Sequence, residues 1–346
     1  VIRTSAIAMA DKPVPFVHQV AGHERSFISH GDRLYKQANH CELELYEALT
    51  SSDVLRGFLP RFYGVAVLEG GEFVVHEPGS RGMKKNRSQD DLSATAADGS
   101  KFRSETLHRY LALENLTQGL HRPCVMDVKL GVQLHGDEEP LDKQLRKRAK
   151  SARTTSGSLG LLVAGMKVYK VPPRSYYEVY NKEWGRSLNS RTILDGLRRF
   201  FDNGSGLRVD IIRSYIKRLK ELNAALETLT QFRFFATSLL FVYDGDVQGG
   251  HCAMRMIDFA HTKRVEPHEA QGTPDEGFLK GVGNLIQILT TLSSPPLDPN
   301  LALAAPDSPL PPQDLDDDVP SSAPERTLPS PSVDRCEQLS PVEHCS

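Results

Sequence analysis

An apolar run at residues 122–131 is interrupted by two charged residues, Asp127 and Lys129. They lie two residues apart, so alternation along a β-strand places both side chains on the same face. Burying such a pair costs more in desolvation than the ion pair returns, which favours a catalytic face open to a ligand. An edge strand with a solvated ion pair is the alternative, and the spacing alone favours it. Two further blocks, at residues 135–137 and 256–261, shift the preference to a catalytic site.

These blocks belong to a wider pattern. Pro-x-x-x-Asp-x-Lys-x-Gly occupies residues 123–131, and Ser238-Leu239-Leu240 and Ile257-Asp258-Phe259 follow it in the chain. In type and order the motifs resemble the signature of the inositol polyphosphate kinase family, from about residue 15 to about residue 289. The hexakisphosphate kinase branch is the most similar, on the following residues: His135-Gly136-Asp137, Lys143, Thr155-Ser156, Leu159-Gly160 and residues 165–169.

The bulk composition narrows the class of protein. The formal net charge of −2 over 346 residues means that any anion-binding site has to be local. The five cysteines form no C-x-x-C pair, which argues against a zinc site or a disulfide framework and indicates reduced thiols in an intracellular protein. No apolar run approaches membrane-spanning length. We therefore expect a monomer in the cytoplasm, the nucleus or both.

Changes in composition divide the chain. We predict a flexible N-terminus at 1–14, an N-terminal lobe at 15–116 with a polar, disordered insert at about 78–104, and a catalytic and substrate-binding lobe at 117–292. Twelve of the 22 prolines lie from residue 295 onward. Residues 293–346 are therefore predicted to be a disordered tail, rich in Pro, Ser and Asp, which could bind other proteins.

The predicted elements alternate between strands and helices. Apolar periodicity indicates helices at residues 41–49, 139–153, 192–201, 210–229 and 277–292, and strands that include 159–169, 234–243 and 253–259. Residues 15–28, the first segment that we expect to be ordered, are predicted to form a hairpin of two short strands. The resemblance implies an α+β, two-lobed kinase-like fold, related to ATP-grasp enzymes, with an antiparallel sheet in the N-terminal lobe and a larger α+β C-terminal lobe.

Residues that are expected to bind a nucleotide occur in the N-terminal half. Lys36 ends a predicted strand and Glu42 lies on the next helix, an arrangement that orients a phosphate-binding lysine in protein-kinase-like lobes. A surface lysine and a surface glutamate are the alternative. The resemblance implies that Glu114, Asn115 and Leu116 link the lobes and bind the adenine edge. The chain contains no Walker A motif, so a P-loop enzyme is not expected.

Oxygen ligands for a metal occur in the C-terminal half. Asp258 ends a predicted strand, and a carboxylate is a good ligand for a hard cation such as Mg²⁺. By resemblance Asp258 is the metal-binding aspartate, and the Ser238 hydroxyl serves the same metal or the phosphates. A strand hydroxyl bonded to backbone is the alternative for Ser238. The expected cofactors are ATP and Mg²⁺.

A basic stretch follows the Asp127–Lys129 strand. It contains six cationic residues with no acid among them: Lys143, Arg146, Lys147, Arg148, Lys150 and Arg153. On a helix most of them share one face, which suits a substrate crowded with phosphates. Lys129, Lys167 and His261 are expected to complete this pocket. The competing interpretation is a nuclear-localisation, nucleic-acid or membrane surface, and we regard a nucleic-acid partner as the weaker one.

The resemblance implies transfer of the ATP γ-phosphoryl to inositol hexakisphosphate, giving a diphosphoinositol. Asp127 would orient or deprotonate the acceptor and approach the nucleotide and metal, and Lys129 would neutralise charge on the transferred group. An inositol polyphosphate multikinase, which phosphorylates a free ring hydroxyl, is the alternative enzyme. A silent phosphoinositide- or nucleic-acid-binding module is a third possibility, but pure binding would not need both Asp127 and Asp258.

Overall fold

Strands make up most of the regular secondary structure in the first part of the chain in the computed structural model, which describes residues 12–22, 26–50, 53–78, 109–173, 175–246, 250–266 and 272–294. The predictions for residues 1–11, for most of the insert and for the tail from residue 295 fall outside these ranges. The described residues belong to one compact unit, residues 1–295. None of the helices in the described ranges is long and apolar enough to cross a membrane.

The N-terminal half forms a six-stranded antiparallel sheet with one helix. Its elements are β1 Val14–Pro15, β2 Phe27–His30, β3 Arg33–Gln37, α1 His40–Thr50, β4 Phe62–Glu69, β5 Glu72–His76 and β6 Arg109–Glu114, in the strand order β1-β2-β3-β6-β4-β5. Helix α1 begins where the Asn39 side chain accepts a hydrogen bond from Cys41 N at 3.0 Å. Tyr46 and Leu49 of α1 are buried in the core. The helix is therefore held by its apolar face, and its polar residues are free to serve a site.

The C-terminal half is built on a five-stranded antiparallel sheet. Its strands are β7 Pro123–Leu130, β8 Leu161–Lys170, β9 Tyr176–Tyr180, β11 Ser238–Asp244 and β12 Cys252–Ile257, in the order β12-β11-β7-β8-β9. Strands β10 Phe232–Phe235 and β13 His261–Arg264 form a separate pair. Strand β7 is central, which explains why seven of its eight residues are buried. The alternative of an edge strand at residues 122–131 is therefore wrong.

Helices cover the C-terminal sheet. They are α2 Leu141–Ala152, α3 Thr155–Leu159, α4 Lys182–Ser187, α5 Ile193–Phe201, α6 Val209–Glu227 and α7 Glu276–Ser293. Helix α6 buries Leu219, Leu222 and Leu226 on one face and packs on α7. Close approach of α7 to the turn before β8 requires glycine, since a Cβ at Gly281 would lie 2.2 Å from Gly160 O. The predicted α+β, two-lobed class is confirmed, and the division at residue 116 stays a prediction.

Two predicted strands are wrong in detail. The run 234–243 is broken at Ala236, whose φ of 55° ends β10 and lets β11 begin in another sheet. The run 159–169 begins with the last turn of α3, because Gly160 at φ 68° separates that helix from β8. The first strand of the predicted N-terminal hairpin is shorter than expected. It consists only of β1, because residues 16–22 do not belong to the sheet. Strands β9 and β13 and helices α3 and α4 were not predicted.

Candidate active site

Asp127 and Lys129 lie side by side on the open face of β7. Strand β11 places Leu240 opposite Asp127 and Ser238 opposite Lys129. Only 4% of Asp127 is exposed, whereas the Lys129 side chain keeps 28% of its surface exposed. The pair therefore lies on the floor of a cleft, as the spacing of the two residues predicts.

A single carboxylate joins lysines from the two sheets. Asp258 Oδ1 lies 2.9 Å from Lys36 Nζ of β3, and its Oδ2 lies 3.6 Å from Lys129 Nζ of β7. Lys36 also donates to Glu42 Oε1 of α1 at 2.8 Å, and Glu42 is buried. The predicted Lys36–Glu42 pair thus forms, and it points at Asp258 instead of at solvent. Sequence motifs separated by more than 200 residues meet at one point.

Backbone strain is concentrated at the same point. Asp258 at φ 62° and Ala236 at φ 55° are the only non-glycine residues with positive φ in the described ranges. Each such conformation costs about 1–3 kcal/mol and persists only where its surroundings enforce it. The Ala236 carbonyl accepts from Lys129 Nζ at 3.3 Å, and Thr237 Oγ1 donates to Asp258 O at 3.3 Å. The strain therefore aims one carbonyl and one carboxylate at Lys129.

The two aspartates have opposite electrostatic environments. Burial raises the pKa of Asp258, but Lys36 and Lys129 outweigh it and hold that pKa below its usual value. Burial raises the pKa of Asp127 above its usual value, and Lys129 offsets this only in part. Asp127 Oδ1 is buried without a hydrogen-bond partner. A buried carboxylate oxygen without a donor is costly, which indicates a place for a cation or a polar ligand atom.

The oxygen atoms at this point fit a magnesium ion that is shared with a nucleotide. The described residues contain no cluster of three or more His, Cys, Asp or Glu that would enclose a metal. Mg²⁺ does not need one, because it is usually held by one or two carboxylates together with substrate phosphates and water. Asp258 and Asp127 Oδ1 supply carboxylate oxygen. Ser238 Oγ is the third candidate, and it accepts from Lys129 Nζ at 3.1 Å.

Above the charged groups the cleft is apolar. The side chains that line it come from both sheets and include Phe16, Leu34, Pro60, Leu113, Val125, Leu240 and Ile257. Apolar walls of this kind suit a flat aromatic base. Glu114 and Leu116 also line the cleft, as predicted for the adenine edge. The Asn115 side chain instead turns back and accepts from Thr117 Oγ1 at 2.8 Å.

The side chain of Glu114 is committed to the protein. Its Oε2 accepts from Arg61 N at 3.1 Å and lies 3.7 Å from Arg255 Nε of β12. The adenine contacts of this segment would therefore come mainly from backbone groups. Arg255 was not among the predicted site residues, and no motif in the sequence points to it.

An N-terminal segment, residues 16–21, closes one side of the cleft. It crosses β8 so closely that a Cβ at Gly165 would lie 2.0 Å from Val20 O. Lys167 Nζ donates to Val17 O at 3.2 Å and lies 4.5 Å from the centroid of the Tyr177 ring. Lys167, which is predicted to bind substrate phosphates, is thus in contact with the nucleotide side of the cleft. Burial lowers the pKa of His18, on the same segment, to about 4 and keeps it neutral.

Helix α2 is attached by its polar side chains. Gln144 Nε2 donates to Glu139 O at 2.7 Å, and Ser151 Oγ donates to Val132 O at 2.9 Å. Arg148 Nε donates to Nε2 of the buried His135 at 3.1 Å. The opposite faces of the helix are exposed, including Leu141 and Leu145. The helix therefore presents most of its cations to solvent.

The cations of α2 fall into two groups. Lys143 and Lys147 lie 3.2 and 2.6 Å from Glu139 Oε1, which also lies 3.6 Å from His261 Nε2. These three predicted residues are brought together. Arg146 instead pairs with Asp142 at 2.9 Å, on a face where its side chain is 75% exposed. Lys150 is exposed and makes no side-chain hydrogen bond or ion pair with the residues that the structure describes. Glu139 was missed, because an acid beside a basic stretch gives no signal in the sequence.

The chain is similar in sequence to known proteins. The sequence profile of the inositol polyphosphate kinase family matches residues 110–290. The chain is 33% identical over 208 residues to inositol hexakisphosphate kinase 3 of Mus musculus, covering 55% of this chain and 52% of that protein. It is 32% identical over 235 residues to inositol hexakisphosphate kinase 2 of Homo sapiens, covering 57% of this chain and 54% of that protein. The chain spans about half the length of the curated relatives it matches.

A solved structure extends the similarity to the fold. The inositol phosphate multikinase Ipk2 of S. cerevisiae, in complex with ADP and Mn²⁺, superposes with a TM-score of 0.58 at 26% identity. The match covers 76% of this chain and 100% of that one. The family profile covers more than half of the chain, including β7, Ser238 and Asp258. The chain therefore belongs to the inositol polyphosphate kinase family.

Proposed function

We propose that this protein is an ATP-dependent inositol phosphate kinase that transfers the γ-phosphoryl group to inositol hexakisphosphate and forms diphosphoinositol pentakisphosphate. The observation that carries the proposal is the Asp258 carboxylate shared between Lys36 and Lys129, beside the unpartnered oxygen of Asp127. A binding module would not need two carboxylates at an anion site, since they repel the ligand. A phosphotransferase needs them to hold a metal.

The nucleotide would occupy the apolar cleft with its phosphates at Lys36. Glu42 holds that lysine from behind, so it is oriented before the nucleotide arrives. Asp258, Asp127 and the Ser238 hydroxyl would hold Mg²⁺, which neutralises the phosphate charge during transfer. If Asp258 held the ion, its carboxylate would be shared among the metal, Lys36 and Lys129, and the two lysines could also contact the phosphates.

The acceptor would approach from α2. Lys129 contacts two of the proposed metal ligands, Asp258 and Ser238, so its ammonium group could stabilise the phosphoryl group during transfer. A phosphate acceptor is already anionic and needs relief of repulsion more than it needs a base. Lys143, Lys147, Lys150 and His261 supply that relief. Positioning and electrostatics account for most of the rate in such transfers, and no covalent intermediate on the protein is required.

A free ring hydroxyl as acceptor is the second candidate. It is favoured by the buried Asp127, because burial raises its pKa toward the range of a useful general base. The similarity in fold to a multikinase supports the same alternative. The monomeric state, a cytoplasmic or nuclear location and partners of the tail stay predictions.

A panel assay tests the proposal. Purified protein is incubated with ATP, Mg²⁺ and inositol phosphates that carry three to six phosphate groups, and the products are separated by charge. We expect the hexakisphosphate to gain one phosphate group, and an Asp258→Asn protein to form product at least about 100-fold more slowly. Absence of transfer to every member of the panel by folded wild-type protein would refute the proposal.

A further inference from the structure

Glu139 is an unexpected residue in a site for a polyanion. Only 5% of its side chain is exposed, and it lies just before α2, among the cations that would bind the substrate. A buried carboxylate there repels phosphate and costs desolvation energy. A random surface acid would not explain its burial or its contacts.

All the contacts of Glu139 with basic side chains converge on one atom. Oε1 lies 2.6 Å from Lys147 Nζ, 3.2 Å from Lys143 Nζ and 3.6 Å from His261 Nε2. The other oxygen, Oε2, is buried without a hydrogen-bond partner. These contacts keep the pKa of Glu139 below its usual value although burial raises it. The carboxylate is therefore held in place by the cations around Oε1.

The three basic side chains come from two elements that would otherwise be independent. Lys143 and Lys147 lie one turn apart on α2, and His261 begins β13, three residues after Asp258. Like charges at this spacing repel one another on a helix. A shared counter-ion removes that repulsion and fixes α2 against the segment that carries the metal ligand.

We propose that Glu139 is a positioning residue that gathers Lys143, Lys147 and His261 into one preformed site for a phosphate group of the acceptor, an inference that rests on the proposed kinase function. Oε1 of Glu139 marks where the three basic side chains converge, and a phosphate oxygen can bind beside it. The order imposed on the lysines in advance reduces the entropy that substrate binding would otherwise cost.

The neighbouring Glu138 provides a matched control. It also contacts His261, with Oε1 2.9 Å from Nδ1, but its side chain is 65% exposed and it makes no ion pair with a lysine of the described chain. Glu138→Gln and Glu139→Gln remove the same charge from adjacent positions. If both acids acted only by repelling the substrate, both variants would bind hexakisphosphate more tightly.

The experiment measures KM and kcat for hexakisphosphate, and KM for ATP, in the full chain. We expect Glu139→Gln to raise the KM for hexakisphosphate about fivefold to tenfold, with kcat and the KM for ATP within about twofold. Glu138→Gln should leave the KM unchanged or lower it. Glu139→Asp, which keeps the charge, should restore part of the affinity. An equal or lower KM in Glu139→Gln would overturn the proposal.

Two further measurements separate the possible failures. In a Lys147→Met background, Glu139→Gln should have less than half of its effect on the logarithm of KM, because one gathered cation is already missing. Calorimetric binding of hexakisphosphate to the same variants does not depend on turnover. If wild-type protein binds hexakisphosphate without phosphorylating it, the proposed kinase function fails while the role of Glu139 is still tested. If Glu139→Gln does not fold, the KM for hexakisphosphate of the Lys147→Met and Glu139→Asp proteins tests the proposal in its place.

Discussion

The proposed nucleotide end of the cleft contains Lys36, Glu42 and Asp258, and these charged groups lie on or beside strands and on a packed helix. The proposed acceptor end contains the cations of α2, which is an exposed helix. Phe259, which follows Asp258, is fully buried and packs edge-on against Tyr46 of α1 at 5.5 Å between ring centroids. Helix α2 has one buried residue, Ser151. The first end is fixed by apolar packing and the second by hydrogen bonds and ion pairs.

This difference determines how each end responds to change. A packed site tolerates no loss of a group, because its neighbours cannot move to compensate. An exposed site made of many cations loses affinity in steps, and salt screens it over a Debye length of about 8 Å at physiological ionic strength. We therefore expect large, salt-independent effects at the nucleotide end and smaller, salt-sensitive effects at the acceptor end.

The largest effect is expected for Asp258→Asn. An amide is a poorer ligand for Mg²⁺, so turnover should fall by about 100- to 1,000-fold or more. The pKa of Asp258 is lowered in the fold, so the charged form stabilises the protein above the unfolded pKa, and the variant should melt at a lower temperature. Circular dichroism verifies the fold. Near-normal turnover by a folded variant would remove Asp258 from the metal site.

Asp127→Asn should reduce activity but stabilise the fold. The pKa of Asp127 is raised, so the folded state binds this proton more tightly than the unfolded state, and stability is lost as pH rises through the folded pKa. The neutral amide removes that cost at pH 7, and the melting temperature should rise by roughly 2–4 °C per kcal/mol regained.

The acceptor determines how much activity Asp127→Asn loses. We expect about a hundredfold loss with a free hydroxyl, which needs a base, and about a tenfold loss with hexakisphosphate. Comparison of the two substrates at saturating ATP measures this difference.

The stability prediction is tested separately by thermal melting. A lower melting temperature of Asp127→Asn than of wild-type protein would show that Lys129 stabilises the charged form of Asp127 more than burial destabilises it.

A smaller effect is expected where the N-terminal segment meets β8. Lys167→Met removes the donor to Val17 O, a bond worth about 0.5–1.5 kcal/mol, so the KM for ATP should rise about two- to tenfold. The KM for hexakisphosphate should not change. The reverse result would place Lys167 in the acceptor pocket, as the sequence predicts, and would make the two ends of the cleft less distinct.

The smallest effects are expected on α2. Lys150→Ala should raise the KM for hexakisphosphate by up to about fivefold, and the effect should shrink at high salt. Arg146→Ala should change it by less than about twofold, since that arginine is paired with Asp142 on an exposed face. Steady-state kinetics at two ionic strengths measures both. Equal effects would mean that Arg146 leaves Asp142 to bind substrate.

The sequence predicts much of the secondary structure around the proposed nucleotide site, because its residues lie in apolar runs with regular periodicity. Alternation in β7 places Asp127 and Lys129 on one face, and apolar periodicity over residues 210–229 predicts α6. The break at Ala236 was not predictable, since alanine carries no signal for a positive φ. That break separates β10 from β11 and orients the Ala236 carbonyl so that it accepts a hydrogen bond from Lys129.

The acceptor end is less predictable because its contacts are between side chains distant in sequence. Nothing in the sequence indicates that Glu139 and His261 meet, which they do only when β13 packs beside the start of α2. Basic residues predict a cationic surface, whereas the orientation of each cation depends on tertiary structure.

The proposed acceptor is tested most directly by competition. Equal concentrations of hexakisphosphate and an inositol phosphate with a free hydroxyl are incubated with wild-type protein, ATP and Mg²⁺, and the products are followed by phosphorus NMR. We expect signals of a diphosphate group to appear from hexakisphosphate, because the cations of α2 and Lys129 favour the more highly charged acceptor. Consumption of the hydroxyl-bearing compound alone, with hexakisphosphate unchanged, would contradict the proposed function and assign the protein as a multikinase.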